Sequence, residues 1–256
     1  MEFKGYNTDF ALEGRVALIT GGAAGIGRAI AELFFQKGAN LVLSDISPEL
    51  SAAAKEIAPD AGRVATVQGD ITKAEGRQAA VDLAVERFGR VDILVNCAGI
   101  ALLDSALEAS EDRWDKTMDL NLKAVFFLSQ LVAPLMIQQG GGKIVNLASQ
   151  AGIIALDRHA AYVASKAAVI GMTKVLALEW APKNIQSNCI SPTVVLTELG
   201  KKAWAGEVGE AFKKTIPAGR FAYPEEIAAC ALFLSSDAAQ MINGANLVID
   251  GGYTVQ

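Results

Sequence analysis

The stretch RVALITGGAAGIG, residues 15–27, decides the reading of the chain. Its first six residues are mostly apolar without alternation, the pattern of a strand covered on both faces. Residues 25–37 then carry helical periodicity. Between strand and helix, Gly21, Gly25 and Gly27 let the backbone turn tightly. The N–H groups there, with that of Ile26, can approach a pyrophosphate, and the helix N-terminus supplies a partial positive charge. The spacing is G-x-x-x-G-x-G rather than G-x-G-x-x-G.

Moving outward, six more short apolar runs read as strands: residues 40–46, 63–68, 91–96, 143–148, 185–191 and 246–250. Helical stretches lie between them at 48–58, 73–88, 111–139, 160–180 and 224–235. Strands alternating with helices imply βαβ units with right-handed crossovers. The expected fold is α/β: one Rossmann-like, doubly wound parallel sheet of about seven strands with helices on both faces. Residues 1–11 read as an extension and 12–256 as one catalytic domain. Its least regular part, 193–220, reads as a variable lid over the substrate.

Composition narrows the function. The 256 residues are 52% apolar and 20% charged, enough for a large core and too apolar for general disorder. The net charge of −5, without a block of Lys or Arg, argues against nucleic-acid and anionic-membrane partners. One histidine and three scattered cysteines offer no metal-ligand cluster. No continuous apolar run nears the roughly 18 residues of a spanning helix. The N-terminal residues hold Glu2, Asp9 and Glu13 and no signal core, so the chain reads as cytoplasmic.

Polar residues at strand ends mark the candidate site, because ligands of open α/β sheets bind at the carboxyl edge. Asp45 ends the second strand, where a carboxylate can accept from both ribose hydroxyls of an adenosine and would repel a 2′-phosphate. The other reading of Asp45 is a cap for the turn before Pro48. Asp70, followed by Ile71, fits a contact to adenine. Asn96, Ala98 and Gly99 close the fourth strand and Ser149 the fifth. Asn121 interrupts an apolar helical run. Tyr162 and Lys166 stand at i and i+4, on one helix face. An ammonium about 4 Å from a phenol is worth about 4 kcal/mol at an effective dielectric near 20, roughly three pKa units. Lys166 would thereby turn Tyr162 into a usable base.

Together these residues resemble the short-chain dehydrogenase/reductase family, in the subgroup with a T-G-x-x-x-G-x-G turn. The resemblance spans residues 12–253 and rests on residues 20–27, Asp70, residues 96–99, Asn121, Ser149, Tyr162, Lys166 and the closing Asp250-Gly251-Gly252. It implies an NAD(H)-dependent enzyme with Tyr162 as general acid/base and Ser149 holding the substrate oxygen. Lys166 would bind the nicotinamide ribose and lower the Tyr162 pKa, and Asn121 would fix a water in a proton relay. Val195 and Thr197 match positions that hold the carboxamide and a diphosphate oxygen. Thr193 departs from the family's usual glycine, narrowing the pocket or adding a hydrogen bond. The segments around residues 96–101 and 250–255 resemble bacterial galactitol- and threitol-type polyol dehydrogenases.

That resemblance implies a secondary alcohol on a small polyol or sugar of about four to six carbons, interconverted with a ketone. The apolar loop 150–156 and the Arg28 that follows the turn keep a 3-oxoacyl-carrier-protein reductase-like ketoreductase open. A non-catalytic nucleotide-binding regulator is the alternative from another class. Gln150, His159, Thr193 and Trp204 are the substrate candidates. His159 also reads as a solvated helix start, and Trp204 as packing the lid on the body. The long apolar helices, with the family resemblance, imply a homotetramer.

Overall fold

In the computed structural model, which describes residues 9–59 and 62–255, strand β1 (Val16–Thr20) is buried at every position. Its side chains divide between two cores. Ala17 and Ile19 join Phe34, Leu41, Leu43 and Val95, whereas Leu18 joins Val42, Ala80, Leu94 and Leu128. A strand covered on both faces needs no polar alternation, and its sequence has none. Most of the extension expected at 1–11 lies outside the described residues.

The other strands are β2 (Asn40–Asp45), β3 (Val64–Gln68), β4 (Ile93–Asn96), β5 (Gly142–Leu147), β6 (Ile185–Pro192) and β7 (Asn246–Ile249). Among the described residues they form one seven-stranded sheet in the order β3-β2-β1-β4-β5-β6-β7. Every pairing is parallel, with Ala17 beside both Leu41 and Ile93. The order reverses between β1 and β4, which opens a crevice at the strands' carboxyl ends.

The α-helices are α1 (Gly25–Gln36), α2 (Leu50–Ile57), α3 (Ala74–Phe88), α4 (Glu111–Met118), α5 (Val125–Gln138), α6 (Ala160–Trp180), α7 (Glu198–Ala203), α8 (Glu207–Lys213) and α9 (Pro224–Ser235). Helices α1, α2 and α9 contribute to the core on one face of the sheet, α3 and α5 to that on the other.

Two sequence expectations change. The single helix at 111–139 is α4 and α5 joined by a π-turn over Asp119–Ala124. The π-turn widens the helix by one residue and leaves no mark in apolar periodicity. The lid at 193–220 contains α7 and α8, helices too short and too polar to show a periodic stripe. Thr197 starts α7 by accepting the Gly200 N–H at 3.0 Å.

A third difference concerns hydropathy. The helical spans Glu111–Gln138 and Ala160–Lys183 are long and apolar enough, by length and composition, to cross a membrane. Their scattered Ser, Thr and Lys hide this from a search for unbroken runs. Both lay one side on the body of the fold and leave Phe127, Ile137, Val175 and Leu178 exposed on another.

Candidate active site at the carboxyl edge

Helix α1 starts with no side-chain cap and no acid in its first turn. Its leading N–H groups therefore face the crevice with the full partial charge of the helix end. A Cβ on Gly27 would run into the Gly21 carbonyl, and Gly25 adopts φ +58 with the Thr197 methyl 3.0 Å from where its Cβ would stand. The turn thus keeps a backbone surface that only glycine allows. Thr20 ties it to the next strand, its hydroxyl accepting the N–H groups of Cys97 and Ala98 at 3.1 Å. That role was missed in the sequence, although a hydroxyl closing a buried apolar strand was there to be read.

The capping reading of Asp45 is the one the hydrogen bonds show. One carboxylate oxygen accepts the Ala23 N–H at 3.0 Å and the other the Ser47 N–H at 3.0 Å. It caps the following turn and also fixes a negative charge against the glycine turn. Arg28 is committed elsewhere, to Glu32 at 2.8 Å and Glu56 at 2.6 Å. Asp70 accepts the Thr72 N–H and hydroxyl at 2.9 and 2.7 Å, beside the buried Ile71. An uncapped helix N-terminus, bare glycine backbone and a carboxylate at the end of β2 fit an adenine dinucleotide without a 2′-phosphate.

Ser149 follows β5 and Tyr162 lies in the first turn of α6. The Ser149 hydroxyl accepts the Ala151 N–H at 3.1 Å and stands close enough to Tyr162 to draw its pKa down. Lys166, one turn further and 5% exposed, donates to the Leu147 carbonyl at 2.6 Å and sits 5.7 Å from the Tyr162 ring centroid. The net shift of the phenol is upward, not the fall the sequence led us to expect. Burial pushes Tyr162 above its usual value, and only the Ser149 hydrogen bond pulls it back. Burial also drops Lys166 to about 8, the Cys97 thiol acting in the opposite sense. The i, i+4 spacing brings the two residues to one face, but the ammonium spends itself on a strand carbonyl. Burial holds the neighbouring Cys97 up at about 12, so it stays a neutral thiol.

Asn121 lies fully buried in the π-turn. Its amide accepts the Ile100 N–H at 2.9 Å and donates to the Ile100 carbonyl at 2.8 Å and the Ser165 hydroxyl at 3.2 Å. Gly99 leaves room between Asn121 and Lys166, 3.2 Å and 3.5 Å from where its Cβ would stand. Asn96 is turned into the body of the fold, donating to Ser129 and Asn146 at 3.1 and 2.8 Å. Its side-chain amide nitrogen is thus tied into the body of the fold.

The remaining candidates separate. The His159 ring lies 6.0 Å from that of Tyr162, its Nδ1 beside the Asp157 carbonyl at 2.5 Å. Trp204 stacks 4.7 Å from Phe212, which in turn lies 5.2 Å from Tyr253. It packs the lid on the body. Val195 is buried and bridges Ala222, which seats the lid's root beside the glycine turn. Gln150 and Thr193 are 2% and 8% exposed at the ends of neighbouring strands.

A family model described as enoyl-(acyl carrier protein) reductase matches residues 21–254. An NAD-dependent glycerol dehydrogenase of Listeria innocua is 58% identical over 100% of both chains. A D-threitol dehydrogenase of Mycolicibacterium smegmatis is 54% identical over 97% of this chain and 96% of its own. Among solved structures, that of a levodione reductase superposes with a TM-score of 0.91 at 35% identity, covering 95% of this chain and 99% of the other.

Proposed function

Because the chain belongs to the short-chain dehydrogenase/reductase family and is an oxidoreductase, we propose that it oxidises a secondary hydroxyl of a small polyol to the ketone with NAD. The observation that carries this reading is the meeting of Ser149, Tyr162 and Lys166 at the carboxyl edge, across from a helix end guarded by Asp45. Likeness to glycerol and D-threitol dehydrogenases supports polyols and extends the expected size down to three carbons.

The residues divide the work. NAD, when bound, supplies the hydride acceptor. The α1 N-terminus and the glycine turn would hold its diphosphate, and Asp45 would accept from the adenosine ribose hydroxyls. Asp70 and Ile71 would border the adenine, Val195 the nicotinamide carboxamide and Thr197 a diphosphate oxygen. Ser149 donates to the substrate oxygen while Tyr162 takes its proton. Lys166 passes charge between that phenol and the passage beside Gly99 and Asn121. Its pKa of about 8 places loss of the ammonium proton in the alkaline range, which favours oxidation there.

We also place the protein in the cytoplasm as a homotetramer, without nucleic-acid or membrane partners. The exposed Phe127, Ile137, Val175 and Leu178 support helix packing against a second copy. A monomer by light scattering at micromolar concentration would contradict it.

The activity is tested with glycerol, tetritols, pentitols and hexitols against 3-oxoacyl thioesters, following NADH absorbance. Turnover of polyols with NAD is expected. Turnover of thioesters alone would make the chain a ketoreductase instead.

A further inference from the structure

Two buried polar atoms beside the catalytic serine have no hydrogen-bond partner among the described residues: Gln150 Oε1 and Thr193 Oγ1. Both side chains are more than nine-tenths buried. Gln150 follows Ser149 directly, and Thr193 follows β6. Leu147 pairs with Ile190 in the β5–β6 register. Beyond that pair β5 gives way to the short turn Gln150–Gly152, which packs against β6, and Thr193 directly follows the end of β6. The Thr193 N–H is already committed to the Ile249 carbonyl at 3.0 Å, so only its hydroxyl is available.

Buried polar atoms left without partners destabilise a fold, so such a pair calls for an explanation at the site where it stands. Resting on the reading of the chain as a polyol dehydrogenase, we propose that Gln150 and Thr193 recognise a second hydroxyl, on the carbon next to the one oxidised. The substrate class is then the vicinal diol. The reacting oxygen lies between Ser149 and Tyr162. The neighbouring hydroxyl donates to Gln150 Oε1 and accepts from the Thr193 hydroxyl. The threonine that replaces the family's usual glycine thereby supplies a polar group that glycine lacks. The pair selects against mono-alcohols because those would leave both atoms buried without partners. The apolar loop 150–156, otherwise at odds with a polyol site, would meet only the carbon edge of such a diol.

The test uses the apolar near-isosteres Gln150→Met and Thr193→Val, with Thr193→Ser as the conservative variant. Butane-2,3-diol and butan-2-ol are compared by kcat/KM, NAD affinity by titration and the melting temperature without ligand. Each apolar variant should lower the diol-to-mono-alcohol ratio about tenfold, mainly through KM, at unchanged NAD affinity. Melting temperatures should hold or rise, since an unmatched polar atom is removed; a merely structural side chain would lower them. Thr193→Ser should keep the ratio within about threefold. An unchanged ratio, or a fall in both substrates together, would overturn the pair's role while leaving the polyol reading intact. A wild-type protein that oxidises neither glycerol, threitol nor butane-2,3-diol would remove that reading and the inference with it.

Discussion

Strand β5 has a buried lysine at each end. Lys143, its second residue, is 5% exposed, and its Nζ has no hydrogen-bond partner among the described residues. At the other end the Leu147 carbonyl receives the equally buried Lys166. Burial draws both ammonium groups down to about 8. The solvation cost is alike, but the surroundings differ. Lys166 is met by a carbonyl and stands beside Tyr162, whereas Lys143 is influenced by Asp237 and opposed by Arg15. The sheet thus tolerates the same penalty at two edges, and only at the carboxyl edge is it matched by chemistry.

That contrast is broken most severely at Tyr162. Tyr162→Phe keeps the ring and removes the acid/base, so kcat should fall by about 10²–10⁴ while NAD binding persists. A stopped assay that finds more than about a tenth of the parent rate would refute the assignment. Asp45→Ala removes the charge that faces a 2′-phosphate. The NAD preference, expected to be at least about 100-fold or roughly 2.7 kcal/mol, should largely vanish in paired titrations with NAD and NADP.

At the amino edge the effect concerns stability alone. The ordinary value of 10.5 for Lys143 falls to about 8 in the folded chain. Between these limits the unfolded chain binds the proton and the folded chain does not, so stability rises with pH across that window. Below pH 8 the penalty is fully present. Lys143→Met should therefore raise stability by roughly 2–3 kcal/mol at pH 7, the gain fading toward pH 10.5, with turnover unchanged. Lys166→Met should gain less because it strips the Leu147 carbonyl of its donor, and it should lose turnover. Urea unfolding at pH 7 and pH 10 distinguishes the two, and equal gains would erase the contrast. The smallest effect belongs to Arg28, held by Glu32 and Glu56. Arg28→Gln should cost under about 1 kcal/mol and leave cofactor selectivity unmoved, which a shift toward NAD would disprove.

How far the sequence could be read follows the same division. The strands were legible because Leu18 and Ile19 point into opposite cores, which forces an unbroken apolar run. Asp45, Ser149, Tyr162 and Lys166 were legible because side-chain chemistry at a strand end or on a helix face carries its own spacing. The Leu147 carbonyl was not, since every residue type has one. The upward shift of Tyr162 was hidden because burial is a property of the assembled pocket. Asn96 looked like a cofactor contact from its place in the strand, but only the packed fold shows it bound to Ser129 and Asn146.

The π-turn over Asp119–Ala124 has a consequence for chain length. A π-turn holds one residue more than an α-turn needs, so this segment is in effect a one-residue insertion kept within a helix. Deleting one residue here would let α4 and α5 fuse into a regular α-helix, with better backbone geometry. The flanking helices would stay in phase, because the turn absorbs the extra residue, but the side chains within the turn itself would move. Asn121 would swing off Ile100 and Ser165, and the loop bordering Lys166 would lose its anchor. Gaps and insertions at this point would thus be read as changes to the catalytic apparatus rather than as harmless variation in helix length.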